Sequence, residues 1–222
     1  MKNLLKIVLR LIVGFFLCAM GTVMAIKSNL GLSPWDVFHQ GISNISVLTI
    51  GQVSIVAGVA IVIISCILGV KVGYATIANM VGIGLFIDFI MYLDFIPKCS
   101  NIFTGIMMMI GSMFVIAFGS YLYIGCGLGC GPRDGLMVVL MQITKKPVKL
   151  IRGIIEVSAL IIGAMLGGFV GVGTIITAFG IGYIIQFTYK ILNFDVSCVE
   201  HKNLEEGYKF IRESLVKEDV LN

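Results

Sequence analysis

Charged residues are scarce in this chain of 222 residues, at 13% of the total, whereas hydrophobic residues make up 58%. A soluble domain carries about 25% charged and 45–50% apolar residues. The mean hydropathy of +1.04 points in the same direction. The composition therefore excludes a soluble globular protein and predicts a protein that crosses the lipid bilayer several times.

Sequence signatures of soluble enzymes are also missing. The chain contains no Walker A sequence, no Gly-x-Ser-x-Gly elbow and no His-Glu-x-x-His motif. Cys126 and Cys130 are separated by three residues, and no histidine nearby completes a zinc set. We therefore expect no enzymatic activity, no metal, no cofactor and no nucleic-acid partner.

Long apolar runs are what the chain has instead. A helix needs about 20 mostly apolar residues to cross a bilayer. Six segments have about this length, at residues 5–26, 51–70, 74–93, 103–124, 149–168 and 172–191. Charges become frequent from Asp195 onward, which predicts that residues 196–222 form a cytoplasmic amphipathic tail.

The distribution of Lys and Arg near the ends of these segments predicts their orientation. With the N-terminus in the cytoplasm, the outer side keeps only Lys27 and Lys98. The cytoplasmic side then receives Lys2, Lys6, Arg10, Lys71, Arg133, Lys145, Lys146, Lys149 and Lys190. We therefore expect a multi-pass plasma-membrane protein with both termini in the cytoplasm.

The chain contains an internal repeat with an offset of 98 residues. Leu, Gly, Pro and Asp recur with the same spacing in residues 30–36 and 128–134. A comparison of residues 8–94 with 106–192, without gaps, gives 24 identities in 87 positions. The composition alone would give about 8. This duplication predicts two membrane repeats, residues 1–98 and 99–195, with three spans each.

An odd number of spans in each repeat determines how the two copies are related. The second copy enters the bilayer from the side opposite to the first, as in transporters with inverted-topology repeats. The predicted fold is an all-α membrane protein with six transmembrane helices, arranged as two inverted three-helix repeats.

A short helix is predicted after the first span of each repeat. Ser33-Pro34-Trp35-Asp36 has a capping Ser, a Pro at the first helical position and an Asp in the first turn. Gly131-Pro132-Arg133-Asp134 repeats this pattern with Gly as the cap. The predicted helices, 35–45 and 133–143, are too short to span. They either dip into the membrane as half-helices or lie at its surface as amphipathic connectors, and the sequence leaves both arrangements open.

Polar residues on the short helices and within the spans are candidates for a solute path, since polar groups in a membrane are often functional. The short helices supply Pro34, Asp36, His39, Gln40, Pro132, Arg133 and Asp134. Asn79 and Thr177 occupy equivalent positions of the two repeats. Each candidate also has a structural interpretation. The two Asp residues could act only as caps, and a lone His on an amphipathic helix is more often interfacial.

Three further residues are candidates for charge inside the membrane: Asp88, Arg152 and Glu156. Arg152 and Glu156 have the i,i+4 spacing of an ion pair. Asp88 lies near the end of its span, where it could simply contact lipid headgroups. Glycines at matching positions predict close packing, kinks or hinges. These structural glycines are Gly31, Gly73, Gly82, Gly84, Gly129, Gly171, Gly180 and Gly182.

The two loop motifs resemble the signatures of a known family. Residues 31–41 and 129–137 are similar to the two motifs of the YczE/YyaS/YitT group of bacterial integral membrane proteins, nearest its YczE branch. The resemblance covers about residues 5–195 and implies a bacterial plasma-membrane location and a fold with several spans. It implies no substrate and no catalytic residues. Cys130 stands where relatives usually have a small or hydroxyl residue.

Two functional hypotheses follow. The first is a small inverted-repeat transporter or permease for a small polar or anionic solute, with Asp36, Arg133 and Asp134 setting the charge selectivity. The second is an accessory membrane protein that transports nothing and supports a partner enzyme or an export complex. The lipid bilayer is a partner in both, and self-association into a homo-oligomer is open.

Overall fold

In the computed structural model the described part of the chain comprises residues 2–69, 72–129 and 131–196, with the single positions 199, 206 and 209 beyond them. The predicted amphipathic tail therefore lies almost entirely outside the described residues, as does Cys130. Every regular element in the described part is helical.

The described part of the chain contains eight helices in sequence order. Six are long: α1 (Lys2–Lys27), α3 (Ile50–Ile67), α4 (Tyr74–Leu93), α5 (Ile102–Ile124), α7 (Val148–Met165) and α8 (Val172–Ile191). Two are short: α2 (Pro34–Ile45) and α6 (Pro132–Thr144). All eight agree with the predicted segments to within a few residues, because each begins at a cap or a charged break and continues along an apolar run.

Among the described residues, five helices are long and apolar enough to cross a membrane, namely α1 from Leu5, α3, α4, α5 and α8. The remaining long helix, α7, has 18 residues and carries Lys149, Arg152 and Glu156. These charges set it apart from the other long helices. Large apolar side chains cover the outside of the bundle, for example Phe179 at 75% exposure and Met165 at 81%. A surface of this kind is stable against lipid and not against water.

The ends of the long helices meet in two groups. At one end, which we call the Lys27 end, Lys27 forms an ion pair with Asp94, and the Cys99 N–H donates to the Lys27 carbonyl at 2.8 Å. At the other, the Arg10 end, the Arg10 guanidinium lies 5.1 Å from the centre of the Tyr121 ring. The neighbouring Tyr121 and Phe194 rings are 5.0 Å apart.

The most extensive helix–helix contact is between α1 and α5, and small residues make the approach possible. A Cβ atom on Gly21 would lie 2.8 Å from the Ser112 carbonyl oxygen. A Cβ atom on Gly119 would lie 2.8 Å from the Gly14 carbonyl oxygen. α4 packs on α1, where Ala19, Val23, Ile87 and Ile90 form a fully buried cluster, and α8 packs on α5.

The short helices lie between the long ones and not on the outside of the bundle. α2 packs on α7, where a Cβ atom on Gly41 would lie 2.5 Å from the Gly163 carbonyl oxygen. α6 packs on α3, near the buried Ser65. Five residues of α2 are buried, including Asp36 and His39. This arrangement favours the half-helix interpretation over surface connectors.

Candidate functional site

Local sequence determines where α2 begins. The side-chain oxygen of Ser33 accepts a hydrogen bond from the Asp36 N–H at 3.4 Å, and its hydroxyl donates to Asp36 Oδ2 at 2.5 Å. Pro34 occupies the first helical position, where its missing N–H costs nothing. The first turn of α2 therefore carries a buried carboxylate held by its own cap.

α6 begins in the same way with Gly131 as its cap. Pro132 follows at the first helical position, and the Asp134 N–H donates to the Gly131 carbonyl at 3.1 Å. The carboxylate of Asp134 sits in the first turn, where the helix dipole favours a negative charge.

The segments that lead into α2 and α6 are placed by two glycines with positive φ. Gly31 (φ +112°) lies so close to Gly171 that a Cβ atom would be 2.5 Å from the Gly171 nitrogen. Gly129 (φ +129°) lies against Thr76, whose Oγ1 would be 2.7 Å from a Cβ atom. No other residue type would fit either position without strain. This explains why glycine is required at both predicted positions and how Gly31 contacts Gly171 and Gly129 contacts Gly73.

Carbonyl groups next to these glycines bind the starts of two long helices. The Leu30 carbonyl accepts from the Gly173 N–H at 2.7 Å, and the Leu128 carbonyl accepts from the Ala75 N–H at 2.9 Å. The N-termini of α8 and α4 thus receive acceptors for otherwise unpaired N–H groups. The predicted Gly73 is the N-cap of α4, as Gly171 is the N-cap of α8.

The N-termini of the two short helices meet inside the protein. The Arg133 guanidinium lies 4.6 Å from the centre of the Trp35 ring, a cation–π contact between α6 and α2. Two segments separated by 98 residues in sequence are therefore neighbours in space.

A cavity of about 450 Å³ surrounds this meeting point. Of the predicted site residues, those that line it are Pro34, Asp36, His39, Pro132, Arg133, Asp134, Asn79, Thr177, Arg152 and Glu156. The structure thus brings most of the predicted residues together. The volume is in the range of small-molecule sites, which are about 300–1,000 Å³.

The charges in the cavity are of both signs. Arg133 is surrounded by protein, yet its side chain is exposed to the cavity, and it interacts electrostatically with Asp36, Asp134, Tyr123 and Glu156. Asp36 is only 8% exposed. A buried carboxylate needs a compensating partner, and Ser33 and Arg133 supply one each.

His39 differs from the interfacial position that its helix suggested. The side chain is buried, and its Nδ1 atom lies 3.9 Å from Asp36 Oδ1. Nδ1 has no hydrogen-bond partner in the described part of the chain. An unpaired buried nitrogen is costly unless something else binds it, so His39 is a polar group available to a solute or water.

Arg152 and Glu156 form the ion pair that their spacing predicted, with Nε donating to Oε1 at 2.9 Å. Their side chains are 54% and 27% exposed, and both residues line the cavity. Across the cavity from them, Thr177 donates to the Gly173 carbonyl at 2.9 Å. Thr177 and Asn79 are both buried.

One predicted path residue, Gln40, and one predicted intramembrane charge, Asp88, lie elsewhere. Gln40 Oε1 accepts a hydrogen bond from the Phe169 N–H at 2.6 Å, so Gln40 fastens α2 to the loop between α7 and α8. Asp88 caps α3, accepting from the Thr49 hydroxyl at 2.5 Å and from the Gly51 N–H at 3.0 Å. Both side chains satisfy backbone or capping groups, and neither lines the cavity.

The four predicted glycines of α4 and α8 have unequal surroundings. Gly82 lies against Phe15 and Gly180 against Met113, and a Cβ atom on either would be 3.0 Å from its neighbour. Gly84 lies at a close crossing with Gly51 and Ile55 of α3. Gly182 has no atom of the described chain within 4 Å of its Cβ position, so the expected crossing is absent there.

Sequence reasoning missed Tyr189 and Ser120, which line the cavity near the Arg10 end and share a hydrogen bond of 2.9 Å. Ser120 is equivalent to Thr22 in the first repeat, and Thr22 also lines the cavity. A search for polar residues at matching repeat positions would have found Thr22 and Ser120. Within the described ranges no group of three or more acidic, Cys or His side chains could hold a metal ion.

Comparison with known proteins agrees with this architecture. Residues 5–190 match the model of a family of unknown function, DUF6198. The chain belongs to the DUF6198 family. The membrane protein YczE of Bacillus subtilis is 35% identical over 83% of this chain and 87% of its own length.

Two more relatives extend the DUF6198 comparison. A protein of Haemophilus influenzae is 32% identical over 78% of both chains, and YyaS of Bacillus subtilis is 26% identical over 74% of this chain and 83% of its own. The resemblance to the YczE/YyaS group is thereby confirmed. No solved structure matches the chain.

Proposed function

We propose that this protein is a small inverted-repeat transporter or permease for a small polar or anionic solute, and not an enzyme. One observation carries the proposal. The cavity at the meeting point of α2 and α6 is lined by equivalent residues from both repeats. A solute site at the interface of two inverted repeats, formed in part by half-helix N-termini, is typical of secondary transporters.

Many residues that line the cavity occur in pairs whose members are 98 positions apart in the sequence. Each of the following pairs consists of equivalent positions, and both members line the cavity: Pro34 and Pro132, Trp35 and Arg133, Asp36 and Asp134, Gly58 and Glu156, Asn79 and Thr177, Met80 and Ala178, Ile83 and Ile181. A cavity on an internal two-fold axis has this property, whereas a cavity inside one repeat does not.

Contacts between the repeats support the same axis. The hydrogen bond from Gly173 to Leu30 becomes the one from Ala75 to Leu128 when every residue is replaced by its equivalent. The contact of Gly21 with Ser112 becomes that of Gly119 with Gly14 in the same way. With α7 as the sixth span, each repeat supplies three spans and one half-helix.

The positive-inside rule supports an orientation with the Arg10 end in the cytoplasm. Lys145, Lys146 and Lys149 lie between α6 and α7 or at the start of α7, at that end in the proposed topology. The Lys27 end, where Lys27 is already paired with Asp94, would then face outward.

The chemistry of the cavity supports a polar solute. Arg133 can bind a carboxylate or phosphate oxygen through its planar donors, and His39 Nδ1 is unpaired among the described groups. Asp36, Asp134 and Glu156 provide acceptors nearby. Met113, Ile116 and Ile181 contribute apolar walls, which suit a small solute with a polar and an apolar part.

Solute binding and uptake by the full-length protein test the proposal. Purified protein is screened for thermal stabilisation by small carboxylates, phosphate, amino acids and sugars, since a ligand of the native state raises its apparent stability. Uptake of a stabilising solute is then measured in proteoliposomes. We expect Arg133→Ala to reduce uptake by about tenfold or more, because a charge-assisted hydrogen bond contributes about 1.5–3 kcal/mol.

Lys146→Ala is the matched control, since it removes an exposed positive charge outside the cavity. Its uptake should equal that of the wild type. Folded Arg133→Ala protein with unchanged uptake would overturn the assignment of the path. An absence of any stabilising solute, together with a stably co-purifying protein, would favour the accessory role.

A further inference from the structure

The packing of the two repeats differs most at the contact between the second and third spans. In the first repeat α3 and α4 pack together, whereas α7 and α8 do not pack along their lengths. Gly84 of α4 meets Ile55 of α3, whose Cγ1 would lie 2.5 Å from a Cβ atom on the glycine. The equivalents of these residues, Gly182 and Gly153, each have no described atom within 4 Å of the Cβ position.

We propose that α7 and α8 form a gate that closes by packing against each other as α3 and α4 do here. The gate rests on the transport function proposed above and adds the movement by which a solute would gain access to the cavity. Its closed form brings Gly153 against Gly182 and Glu156 against Ala178.

The side chains on the two helices are complementary in size for this closure. In the packed pair, small Gly58 faces large Met80, whose Cγ would lie 2.5 Å from a Cβ atom on the glycine. At the equivalent positions, Glu156 is large and Ala178 is small. A large side chain opposite a small one fills a helix interface without a void. The large residue is on the third span in the first repeat and on the second span in the second repeat, and in both cases the residue opposite it in a packed pair is small.

The contact that fastens α3 to α4 has no counterpart between α7 and α8. Asp88 receives hydrogen bonds from Thr49 and Gly51. Their equivalents are Gln186, Pro147 and Lys149, which lack the carboxylate, the hydroxyl and the small size. Lys149 stands where Gly51 allows the close approach of α3 to α4, so the proposed closure is centred on Gly153 and Gly182. This pair can open, and α3 and α4 stay fastened.

The open gate lies on the proposed path. Arg152 and Glu156 of α7 and Ala178 and Ile181 of α8 all line the cavity. Two interconverting arrangements of one helix pair are sufficient to control access, and a solute that binds one of them better shifts the balance.

Disulfide formation in full-length protein without its native cysteines tests the gate. Gly58→Cys/Met80→Cys is the positive control, because the Cβ position of Gly58 lies 3.4 Å from Met80 Cβ, close to disulfide geometry. Its equivalent, Glu156→Cys/Ala178→Cys, probes the gate. Gly153→Cys/Gly182→Cys probes it with the Arg152–Glu156 ion pair intact. Gly153→Cys/Tyr183→Cys is the negative control, because Tyr183 is 76% exposed on the outside of α8.

We expect both gate pairs to cross-link under mild oxidation in native membranes, more slowly than the positive control and at least about tenfold faster than the negative control. The gate is overturned if the positive control cross-links and neither gate pair does so faster than Gly153→Cys/Tyr183→Cys. These readouts need no solute. Cross-linking without solute binding would therefore count against transport alone, and loss of uptake in Arg133→Ala without cross-linking would count against the gate alone.

Discussion

The Arg133 guanidinium lies over the Trp35 ring at 4.6 Å, and this contact joins the two short helices at their first turns. Trp35 and Arg133 occupy equivalent positions of the repeats. A strictly symmetric protein would place two identical residues there, and two Arg side chains would repel each other. Because the repeats carry Trp at one position and Arg at the equivalent one, the two side chains attract each other through a cation–π contact.

Trp35 and Arg133 should contribute more to the free energy of unfolding together than the sum of their separate contributions. In a double-mutant cycle with Trp35→Leu and Arg133→Gln, we expect a coupling free energy of about 0.5–2 kcal/mol. The free energies of unfolding are measured by denaturant titration in detergent. Trp35→Phe should retain part of the coupling, and additive single changes would contradict a direct contact.

Substitution of the two positive-φ glycines should be costly. Gly31→Ala and Gly129→Ala should each destabilise the protein by about 1–3 kcal/mol, because an L side chain is strained at this φ and each Cβ atom would overlap Gly171 or Thr76. The melting temperature in detergent reports the change. Gly111→Ala is the control, because its Cβ atom would make only an ordinary contact, 3.6 Å from Met24 Cε, and it should leave the melting temperature unchanged or raise it slightly.

Loss of the Asp88 carboxylate should destabilise the start of α3. Asp88→Ala removes the acceptor of two hydrogen bonds, from Thr49 and Gly51, and we expect a loss of about 1–3 kcal/mol. Asp88→Asn keeps one acceptor oxygen and should cost less. Gln186→Ala, at the equivalent and exposed position of α8, should have no effect on thermal stability. Equal losses for Asp88→Ala and Gln186→Ala would contradict the capping role.

Gln40 should hold α2 in position through its hydrogen bond with the Phe169 N–H, and its side chain should not contact the solute. Gln40→Leu removes the acceptor for this N–H, and we expect the melting temperature to fall, because an N–H group that loses its partner costs about 1–3 kcal/mol. The solute affinity of the folded fraction should stay unchanged, since Gln40 does not line the cavity. A weaker solute affinity at unchanged stability would instead place Gln40 in the path. Val138, the equivalent exposed residue, serves as the control when changed to Ala.

Local sequence signals were sufficient for the helices. The bounds of α2 and α6 follow from a Pro at the first helical position, preceded by Ser33 in one case and Gly131 in the other. These are interactions between residues close in the chain, and they act before any tertiary contact exists. The grouping of Asp36, Asp134 and Arg133 also followed from sequence, because the duplication relates the two loops.

Long-range packing decided the positions that the sequence left open. Whether α2 lies on the membrane surface or inside the bundle depends on Gly41 meeting Gly163, and no local pattern contains that contact. His39 was a candidate for the solute path with an interfacial position as the alternative, and it is buried beside Asp36. Gln40 was expected in the solute path and Asp88 as a charge inside the membrane, and each accepts a hydrogen bond from an N–H group of a distant segment.

The sequence by itself determined that the chain is a membrane protein, where its helices begin and end, and that its two halves are related by an offset of 98 residues. These properties depend on composition and on neighbours in the chain. Only the tertiary structure decided that the two short helices meet at Trp35 and Arg133, and that Gly84 is packed while Gly182 is free of near neighbours in the described chain. Equivalent sequences permit equivalent contacts, but which contacts form depends on how all the helices share the space between them.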